Sequence, residues 1–378
     1  MNKSFSMLML WVVCLSCNSD AGLILKSTPS DAILTIKSEV TYIPIDSLGL
    51  VVYRSQPAVY KDENSFLLYA YNRPLHSLDI ISMSSKRLTD RIQLADEGPN
   101  EINRVYSLYV KSTDSLYIMG GGKLYLLNEQ GQVLNNYNTM FEANELTTGG
   151  FFHAPNEAQF KMDDRGTAMF GYFSHYDNDA SNRNRESLEI FILGRYDLMD
   201  ATMALLPVAY SDFIKENEGD FEEIKPNFSF IENKLYYGFP IESNIYVYDF
   251  ETDLISSHGA QSSFSENRAK RSSKHQSYNY RNEGTWFNRL NKYPMQPYFY
   301  RTHWGSQDQQ KPNGDPSDAS SKPGYIMFFD DELAVIDEIK IDQNCYLEGS
   351  FATDEGVFFW AKDGEDETQI KLCRYYID

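Results

Sequence analysis

The sequence is poor in cysteine, in positive charge and in long apolar segments. Four cysteines among 378 residues are too few for a domain framed by disulfide bonds. The formal net charge of −20 at pH 7 argues against a nucleic-acid partner, because phosphates require a basic surface. After the N-terminus, no apolar run has the length of a transmembrane helix. What is present is an acidic chain with 27 tyrosines and 23 phenylalanines, long enough to bury a large core.

The N-terminus has the pattern of a signal peptide. Lys3 supplies the positive start, and the apolar run over residues 5–15 is too short to span a bilayer. The small residue Ser16 before Cys17 resembles the lipobox of bacterial lipoproteins. That resemblance implies cleavage before Cys17 and its lipidation, which would anchor the protein to a membrane. Cys14 stands where the lipobox usually has leucine, and a plain secretory signal is the alternative.

Two cysteines remain if Cys14 leaves with the signal peptide and Cys17 carries lipid. These are Cys345 and Cys373. An exported protein can form a disulfide, but sequence does not establish the distance between the two residues. A disulfide and two free, part-buried thiols both remain open.

One strand-rich unit recurs along the chain. Residues 114–137, DSLYIMGGGKLYLLNEQGQVLNNY, have the pattern of three short strands joined by two tight turns. Similar units cover residues 64–94, 232–257 and 354–378. Counting the weaker copies between them, six second strands begin near Phe66, Leu116, Thr167, Lys234, Pro297 and Gly356. With helical periodicity almost absent, the repeats predict an all-β fold: a single six-bladed β-propeller of four-stranded blades.

The last unit stops after its third strand, so its fourth strand must come from elsewhere. AILTIKSEVTYI (residues 32–43), with GLVVY (residues 49–53), can supply it, and a ring closed by its first strand has no open edge. We therefore predict a signal peptide at 1–16, a lipid-anchored linker at 17–32 and a propeller at 33–378. Two separate β-sandwiches are the alternative, but they explain neither the repeat nor the missing strand.

Three short motifs carry a family resemblance. They are LADEGPNEI (residues 94–102), the pair of Asn72 with HSLDI (residues 76–80), and YFYR (residues 298–301). With the repeats and the lipobox, they resemble Bacteroidota lipoproteins of unknown function, classed with TolB-like six-bladed β-propellers. The resemblance implies the propeller fold and an envelope location as an outer membrane lipoprotein, facing either the periplasm or the cell surface. It implies no catalytic residues.

The sequence contains no recognisable catalytic motif. There is no G-x-S-x-G, no H-E-x-x-H, and the six histidines are scattered singly. We expect no catalytic residues, no metal and no cofactor, although a zinc site assembled from several blades is an alternative. Whether the protein is an enzyme stays open, with the absence of motifs against it.

Propeller geometry predicts which loops lie together. The loops from second to third strands and the connections between blades share one face, and two of these loops are long, which favours binding. That face gathers the candidate ligand-binding residues: Arg73, His76, Glu97, Asn100, His175, Arg301, His303 and Trp304. Trp304, beside an arginine and a histidine, offers a flat aromatic face for a sugar or a peptide side chain.

Structural roles compete with these functional ones. His76 beside a strand could be a turn residue. The turn of Gly98, with a positive φ, and Pro99 could have a purely structural role, which is to set the direction of the chain into the next blade. Arg301 could stack on its neighbouring tyrosines as a structural cation–π pair. Residues 266–289 form a local basic patch, which we interpret as a solvated excursion between blades or a contact for an acidic partner or lipid head groups.

We therefore predict a monomeric, membrane-anchored envelope lipoprotein that binds a ligand or an envelope protein partner at its loop-rich face. A glycan-directed hydrolase or lyase on that face is the second hypothesis, and a scaffold within an envelope complex is the third. An enzyme requires converging Asp, Glu or His side chains with perturbed pKa values. A binding protein requires aromatic and arginine side chains around a pocket, and a scaffold requires a broad apolar patch.

Overall fold

The computed structural model describes most of the chain between residues 24 and 378. The described residues are 24–45, 57–62, 65–141, 150–153, 160–163, 165–175, 188–218, 221, 223–270, 284–294, 296–308, 310, 314–315, 317, 321–362 and 368–378. The predicted signal peptide, Cys17 and the GLVVY segment lie outside them.

The chain forms six antiparallel sheets arranged as blades, numbered here in chain order. Blade 1 consists of β2 (Ala58–Lys61), β3 (Phe66–Asn72), β4 (Ser77–Ser82) and β5 (Arg87–Gln93). Blade 2 consists of β6 (Ser107–Ser112), β7 (Ser115–Gly120), β8 (Lys123–Leu127) and β9 (Val133–Asn138). Blade 3 consists of β10 (Met140–Phe141), β11 (Gly150–His153), β12 (Lys161–Met162), β13 (Ala168–His175), β14 (Leu193–Asp197) and β15 (Thr202–Leu205).

The second half of the ring follows a short helix, α1 (Asp212–Glu216). Blade 4 consists of β16 (Asn227–Ile231), β17 (Lys234–Gly238), β18 (Ile245–Asp249) and β19 (Leu254–His258). Blade 5 consists of β20 (Trp286–Lys292), β21 (Phe299–Trp304), β22 (Gly324–Phe329) and β23 (Val335–Ile341). Blade 6 consists of β24 (Cys345–Thr353), β25 (Gly356–Ala361) and β26 (Gln369–Ile377), completed by β1 (Ile36–Pro44).

The N-terminal strand closes the ring, as predicted. β1 is the outermost strand of blade 6, antiparallel to β26, and the register runs from Ile36 opposite Ile377 to Pro44 opposite Gln369. Blade 6 therefore combines the first and last strands of the described chain. Together with the six sheets, this closure confirms the single six-bladed propeller.

Blade 3 departs from the four-strand plan. Its inner position is divided between β11 and β12, and both pair with β13. β11 pairs with the end of β13 near His175, whereas β12 pairs with Met169 and Phe170 near its start. Two-residue strands carry no periodicity, so the sequence did not reveal this division.

The core lies between blades. The described residues contain six clusters of buried apolar side chains, and each cluster joins one blade to the next. The cluster with Ile43, Phe66 and Phe358, for example, joins blade 6 to blade 1. An open row of six blades has five such interfaces, so the sixth cluster is the packing signature of a closed ring. Burial of these faces supplies the main stabilising free energy.

The described N-terminal segment before β1 lies along the outside of blades 4 and 5. Ser27 forms a bridge with Gly259, which follows β19, and Pro29 forms one with Val335 at the start of β23. Gly259 permits this approach, because a Cβ there would lie 2.2 Å from the carbonyl oxygen of Lys26. The segment from residue 24 is therefore part of the propeller surface, although the sequence suggested a linker up to residue 32.

The two remaining cysteines form a disulfide within blade 6. Cys345 at the start of β24 is bonded to Cys373 in β26, with Cα atoms 6.1 Å apart. Of the two alternatives that the sequence left open, the structure shows the bonded one.

Candidate functional site

The eight candidate residues predicted from sequence lie on the loop-rich face or on the strands that lead to it. Arg73 and His76 occupy the turn between β3 and β4, and Glu97 and Asn100 the connection from blade 1 to blade 2. His175 ends β13, and the other three residues, Arg301, His303 and Trp304, belong to β21. Of the seven whose side chains the structure describes, all but His175, none lines either of the two cavities described below. Their contact with a ligand stays a prediction.

In blade 1, the candidate residues have local structural partners. His76 has a φ of 47°, and the Tyr71 hydroxyl lies 2.9 Å from its Nδ1. Its Nε2 lies 3.5 Å from Asp96 Oδ1. The side-chain oxygen of Asn100 accepts a hydrogen bond of 3.0 Å from the backbone N–H of Val133. His76 is thus part of a turn, and Asn100 attaches the blade connection to β9, whereas Arg73 and Glu97 are exposed.

The motif residues of blade 1 surround a buried carboxylate. Asp79 is fully buried; its Oδ2 accepts hydrogen bonds of 3.0 Å from Asn72 Nδ2 and Arg91 Nη2. Ser77 donates to Oδ1 at 3.3 Å. A buried carboxylate requires such compensation, because an unpaired charge inside a protein is costly. The Asn72 and HSLDI motif therefore has a structural explanation. Gly98 in the GP turn has a φ of 87°, as predicted.

Arg301 is buried beneath the loop-rich face. Its Nε donates to the backbone oxygen of Asn288 at 2.8 Å, and Nη1 donates to that of Ser243 at 2.7 Å. The guanidinium lies 4.7 Å from the centre of the Phe287 ring, so its cation–π partner is Phe287 rather than the neighbouring tyrosines.

His303 contacts a second buried carboxyl group, that of Glu338. Its Nε2 lies 2.6 Å from Glu338 Oε1, which also accepts from the Ser262 hydroxyl at 2.6 Å. Burial lowers the pKa of His303. Burial alone would raise the pKa of Glu338, but the hydrogen bonds from His303 and Ser262 lower it. This arrangement joins β21, β23 and the segment after blade 4.

Trp304 is the half-buried member of the candidate set on β21. The Lys362 Nζ lies 5.6 Å from the centre of its indole ring. This cation–π contact joins blade 5 to blade 6 and occupies one side of the aromatic surface that the sequence suggested for a ligand.

A cavity of about 380 Å³ lies between blades 3 and 4 on the loop-rich face. The connection between the blades, with α1, forms one wall, and the β17–β18 loop forms another. Its aromatic lining consists of Tyr210, Phe213, Tyr237, Phe239 and Tyr246. Leu25 of the N-terminal segment also lines this blade 3–4 cavity, and its backbone N–H donates to Asn244 Oδ1 at 3.0 Å.

Glu242 is the buried carboxyl group of the blade 3–4 cavity. Its Oε1 accepts a hydrogen bond of 3.2 Å from the Tyr246 hydroxyl, and its Oε2 accepts one of 3.4 Å from Asn244 Nδ2. Burial raises the pKa of Glu242 to about 7, despite hydrogen bonds from Ser211 and Tyr246 and the charges of two arginines. The group therefore changes its charge near neutral pH.

The β17–β18 loop is a second-to-third strand loop and was expected on this face, but no sequence signal singled out Glu242. A single glutamate in the segment PIES carries no motif, and its burial depends on α1 and the N-terminal segment packing over it. Ser211 caps α1 by accepting a hydrogen bond from the backbone N–H of Ile214 at 3.4 Å, which fixes this wall.

The described residues include no group of three or more His, Cys, Asp and Glu side chains arranged to share a metal ion. Within the same residues, no helix has the length and apolarity needed to cross a membrane. Part of the basic patch, residues 271–283, lies outside the described chain.

A family model and two solved structures are similar to this chain. The model described as a domain of unknown function (DUF4221) matches residues 32–340. A DUF4221 member from Bacteroides vulgatus has a TM-score of 0.76 at 15% identity, covering 91% of this chain and 98% of its own. A Bacteroides fragilis protein with the provisional name of exported protein has a TM-score of 0.56 at 11% identity, covering 90% and 95%. These identities show the fold alone. No curated protein matches the chain.

Proposed function

Because the chain belongs to the DUF4221 family, which fixes its fold but no ligand, we propose that it is an envelope lipoprotein that binds a ligand in the blade 3–4 cavity. The observation that carries this proposal is the aromatic lining around one buried, titratable carboxyl group. Cavities of this size with a few placed polar groups are typical binding sites for small molecules. The rigid blades on either side hold the walls in position before the ligand arrives.

The lining defines the chemistry of the ligand. Aromatic faces favour an apolar or flat surface, such as a sugar ring or a peptide side chain. Glu242 can accept a hydrogen bond from the ligand when ionised, and it can donate one when protonated. A ligand with an apolar face and a hydrogen-bonding group, such as a glycan or a short peptide, therefore fits this cavity.

Three observations support an envelope location. The disulfide suits an oxidising compartment outside the cytoplasm. The pattern around Cys17 suits lipidation, and one of the structural neighbours bears the name of an exported protein. Lipidation is testable by mass spectrometry of the membrane fraction, where Cys17→Ala should abolish the acyl mass and release the protein.

The cavity supports binding more than catalysis. A carboxyl group with a raised pKa is a property of general acids, but most glycosidases need two carboxyl groups across the scissile bond. Of the two acidic residues in the lining, Glu242 is buried and Asp212 is exposed at the start of α1.

The proposal is tested by titration calorimetry of the purified protein with glycan and peptide libraries. For a compound that binds the wild type, we expect Glu242→Gln and Tyr246→Phe each to weaken binding by about tenfold, because each changes one polar contact. Glu251→Gln, an exposed glutamate in the turn after β18, is the matched control. Binding that is lost in Trp304→Ala but retained in both cavity variants would instead place the ligand at the residues predicted from sequence.

A further inference from the structure

A second cavity lies on the propeller axis, at the opposite end from the loop-rich face. Its volume is about 360 Å³, and inner strands of all six blades contribute to it. Lys61 and Phe66, on either side of the first turn of blade 1, place it at the mouth formed by the first-to-second strand turns. We call it the axial cavity. It shares no lining residue with the blade 3–4 cavity.

The axial cavity is basic in a chain of net charge −20. Four cations line it: Lys61, Lys161, Arg289 and Lys292. The described residues of its lining include no aspartate or glutamate. Lys292 forms an ion pair with Glu232, and Lys61 lies 6.0 Å from the centre of the Phe66 ring. Arg289 and Lys161 remain as the cations on the inner strands of blades 5 and 3.

Arg289 is the most informative of these side chains. It is only 6% exposed, and among the described residues none accepts a hydrogen bond from its Nε or its Nη1. Buried arginine donors in proteins are nearly always paired, because leaving them unpaired costs free energy. The cavity therefore suits a ligand with a group that accepts hydrogen bonds from Arg289.

The fold positions Arg289 through a strand irregularity. The register between β20 and β21 shifts between Phe287 and Leu290, so Asn288 and Arg289 form a bulge. Arg301 Nε donates to the Asn288 backbone oxygen at 2.8 Å and supports this bulge from behind. Bulges often redirect a side chain beside a functional site. The buried arginine on β21 thus positions the one that lines the cavity.

Burial disfavours the charged form of both inner cations, Arg289 and Lys161. Burial lowers the pKa of Arg289 to about 10. Burial lowers the pKa of Lys161 well below its usual value, and the charge of Arg289 lowers it further. A bound anion would reverse both effects, since an opposite charge nearby favours the charged form.

We infer that the axial cavity binds a small organic anion whose carboxylate or phosphate oxygens accept hydrogen bonds from Arg289 and Lys161. Its apolar body packs against the aromatic part of the lining: Phe66, Tyr109, Phe230, Tyr300 and Phe351. Oxyanions are the preferred partners of buried arginine. This site is independent of the proposed function, because it lies on another part of the molecule.

The inference is tested by titration calorimetry of the purified protein at low ionic strength with benzoate, phenyl phosphate and the neutral benzyl alcohol. We expect at least one of the two anions to bind with a Kd of about 1 mM or lower, and benzyl alcohol to bind more weakly by at least about tenfold. A preference between the two anions identifies the oxyanion class.

Variants locate the site. Arg289→Gln and Lys161→Met should each weaken anion binding by at least about tenfold, because each removes a charged donor. The matched controls are Arg87→Gln and Lys340→Met, two exposed cations on the outer strands β5 and β23, which should retain wild-type affinity. A structural role for Arg289 would also lower the melting temperature of Arg289→Gln, whereas removal of an unpaired buried charge should not.

Three results would overturn the inference. One is equal affinity for benzyl alcohol and the anions, and another is unchanged anion affinity in both variants. The third is no binding of either anion up to about 10 mM. If Arg289→Gln fails to fold, Lys161→Met carries the test alone. No outcome depends on the blade 3–4 cavity, so failure here and failure of the proposed function are distinguishable.

Discussion

Glu242 shows how one buried side chain links stability to pH. The native state holds its carboxyl group in the protonated form up to about pH 7, whereas an unfolded chain loses the proton near pH 4.5. Stabilisation from this group is therefore complete below pH 4.5 and is lost as pH rises through 7, because unfolding then lets the carboxyl group ionise in water. Each pKa unit corresponds to about 1.4 kcal/mol.

We expect Glu242→Gln to remove this pH dependence. Glutamine resembles the protonated carboxyl group, so at pH 8 the variant should be more stable than the wild type by up to about 3 kcal/mol. Near pH 4.5 the two proteins should be equally stable. Urea unfolding at both pH values measures the difference, with Glu251→Gln as the exposed control. A constant stability difference across this range would show that Glu242 does not titrate as described.

At the residue scale, the sequence predicts which kinds of side chain lie near the loop-rich face, but it does not predict which of them are exposed to solvent. Arg301 and His303 have side chains that often bind ligands, but both are buried. Strands of a propeller are buried on both faces, so the alternation of side chains does not show which of them reaches solvent. Arg289 could not be singled out within the basic stretch, because its position in the axial cavity depends on a bulge that has no sequence signature. The burial of Glu242 was not predictable either, because it depends on the packing of α1 and the N-terminal segment.

At the element scale, the disulfide compensates for an incomplete local blade. Blade 6 has only three consecutive strands, and Cys345 and Cys373 join the first of them to the third. The bond closes a segment with a sequence separation of 28 residues. Such a crosslink stabilises mainly by restricting the unfolded chain. It holds the three strands together whether or not β1 has paired with β26.

Removal of this bond should destabilise the protein as a whole. We expect the double variant Cys345→Ala, Cys373→Ala to lose about 2–4 kcal/mol of unfolding free energy, measured by urea denaturation. A reducing agent should lower the wild-type midpoint by a similar amount and leave the double variant unchanged. An unaffected wild type under full reduction, verified by thiol titration, would contradict the structure of blade 6.

Regular elements were predictable because tight turns and β-prone runs punctuate them. The starts predicted for the six second strands agree within two residues with β3, β7, β13, β17, β21 and β25. The division of the inner strand of blade 3 and the bulges were not predictable, since they arise from contacts with neighbouring blades.

At the scale of the whole molecule, stability depends on closure between blades 6 and 1. Ile43 on β1 is fully buried in the cluster that joins these blades. Its neighbour Tyr42 is 50% exposed on the other face of the same strand. β1 therefore contributes both backbone pairing with β26 and a side chain to the sixth interface.

We expect Ile43→Ala to cost about 2–4 kcal/mol of unfolding free energy, because it leaves a cavity in the closing interface. Tyr42→Ala on the same strand is the matched control and should cost less than about 1 kcal/mol. Urea denaturation followed by tryptophan fluorescence gives both values. Similar losses in the two variants would mean that β1 pairs with β26 without sealing the ring.

The closing strand also determines the order of events during synthesis. Glu39 on β1 leaves the ribosome early, yet its ion-pair partner Arg374 follows 335 residues later. Contacts so distant in sequence form slowly, and no partial chain can complete them. A nascent chain therefore cannot lock into the finished ring before its last strand is made. This dependence suits the proposed export route, because the ring cannot close while β26 is still on the other side of the membrane.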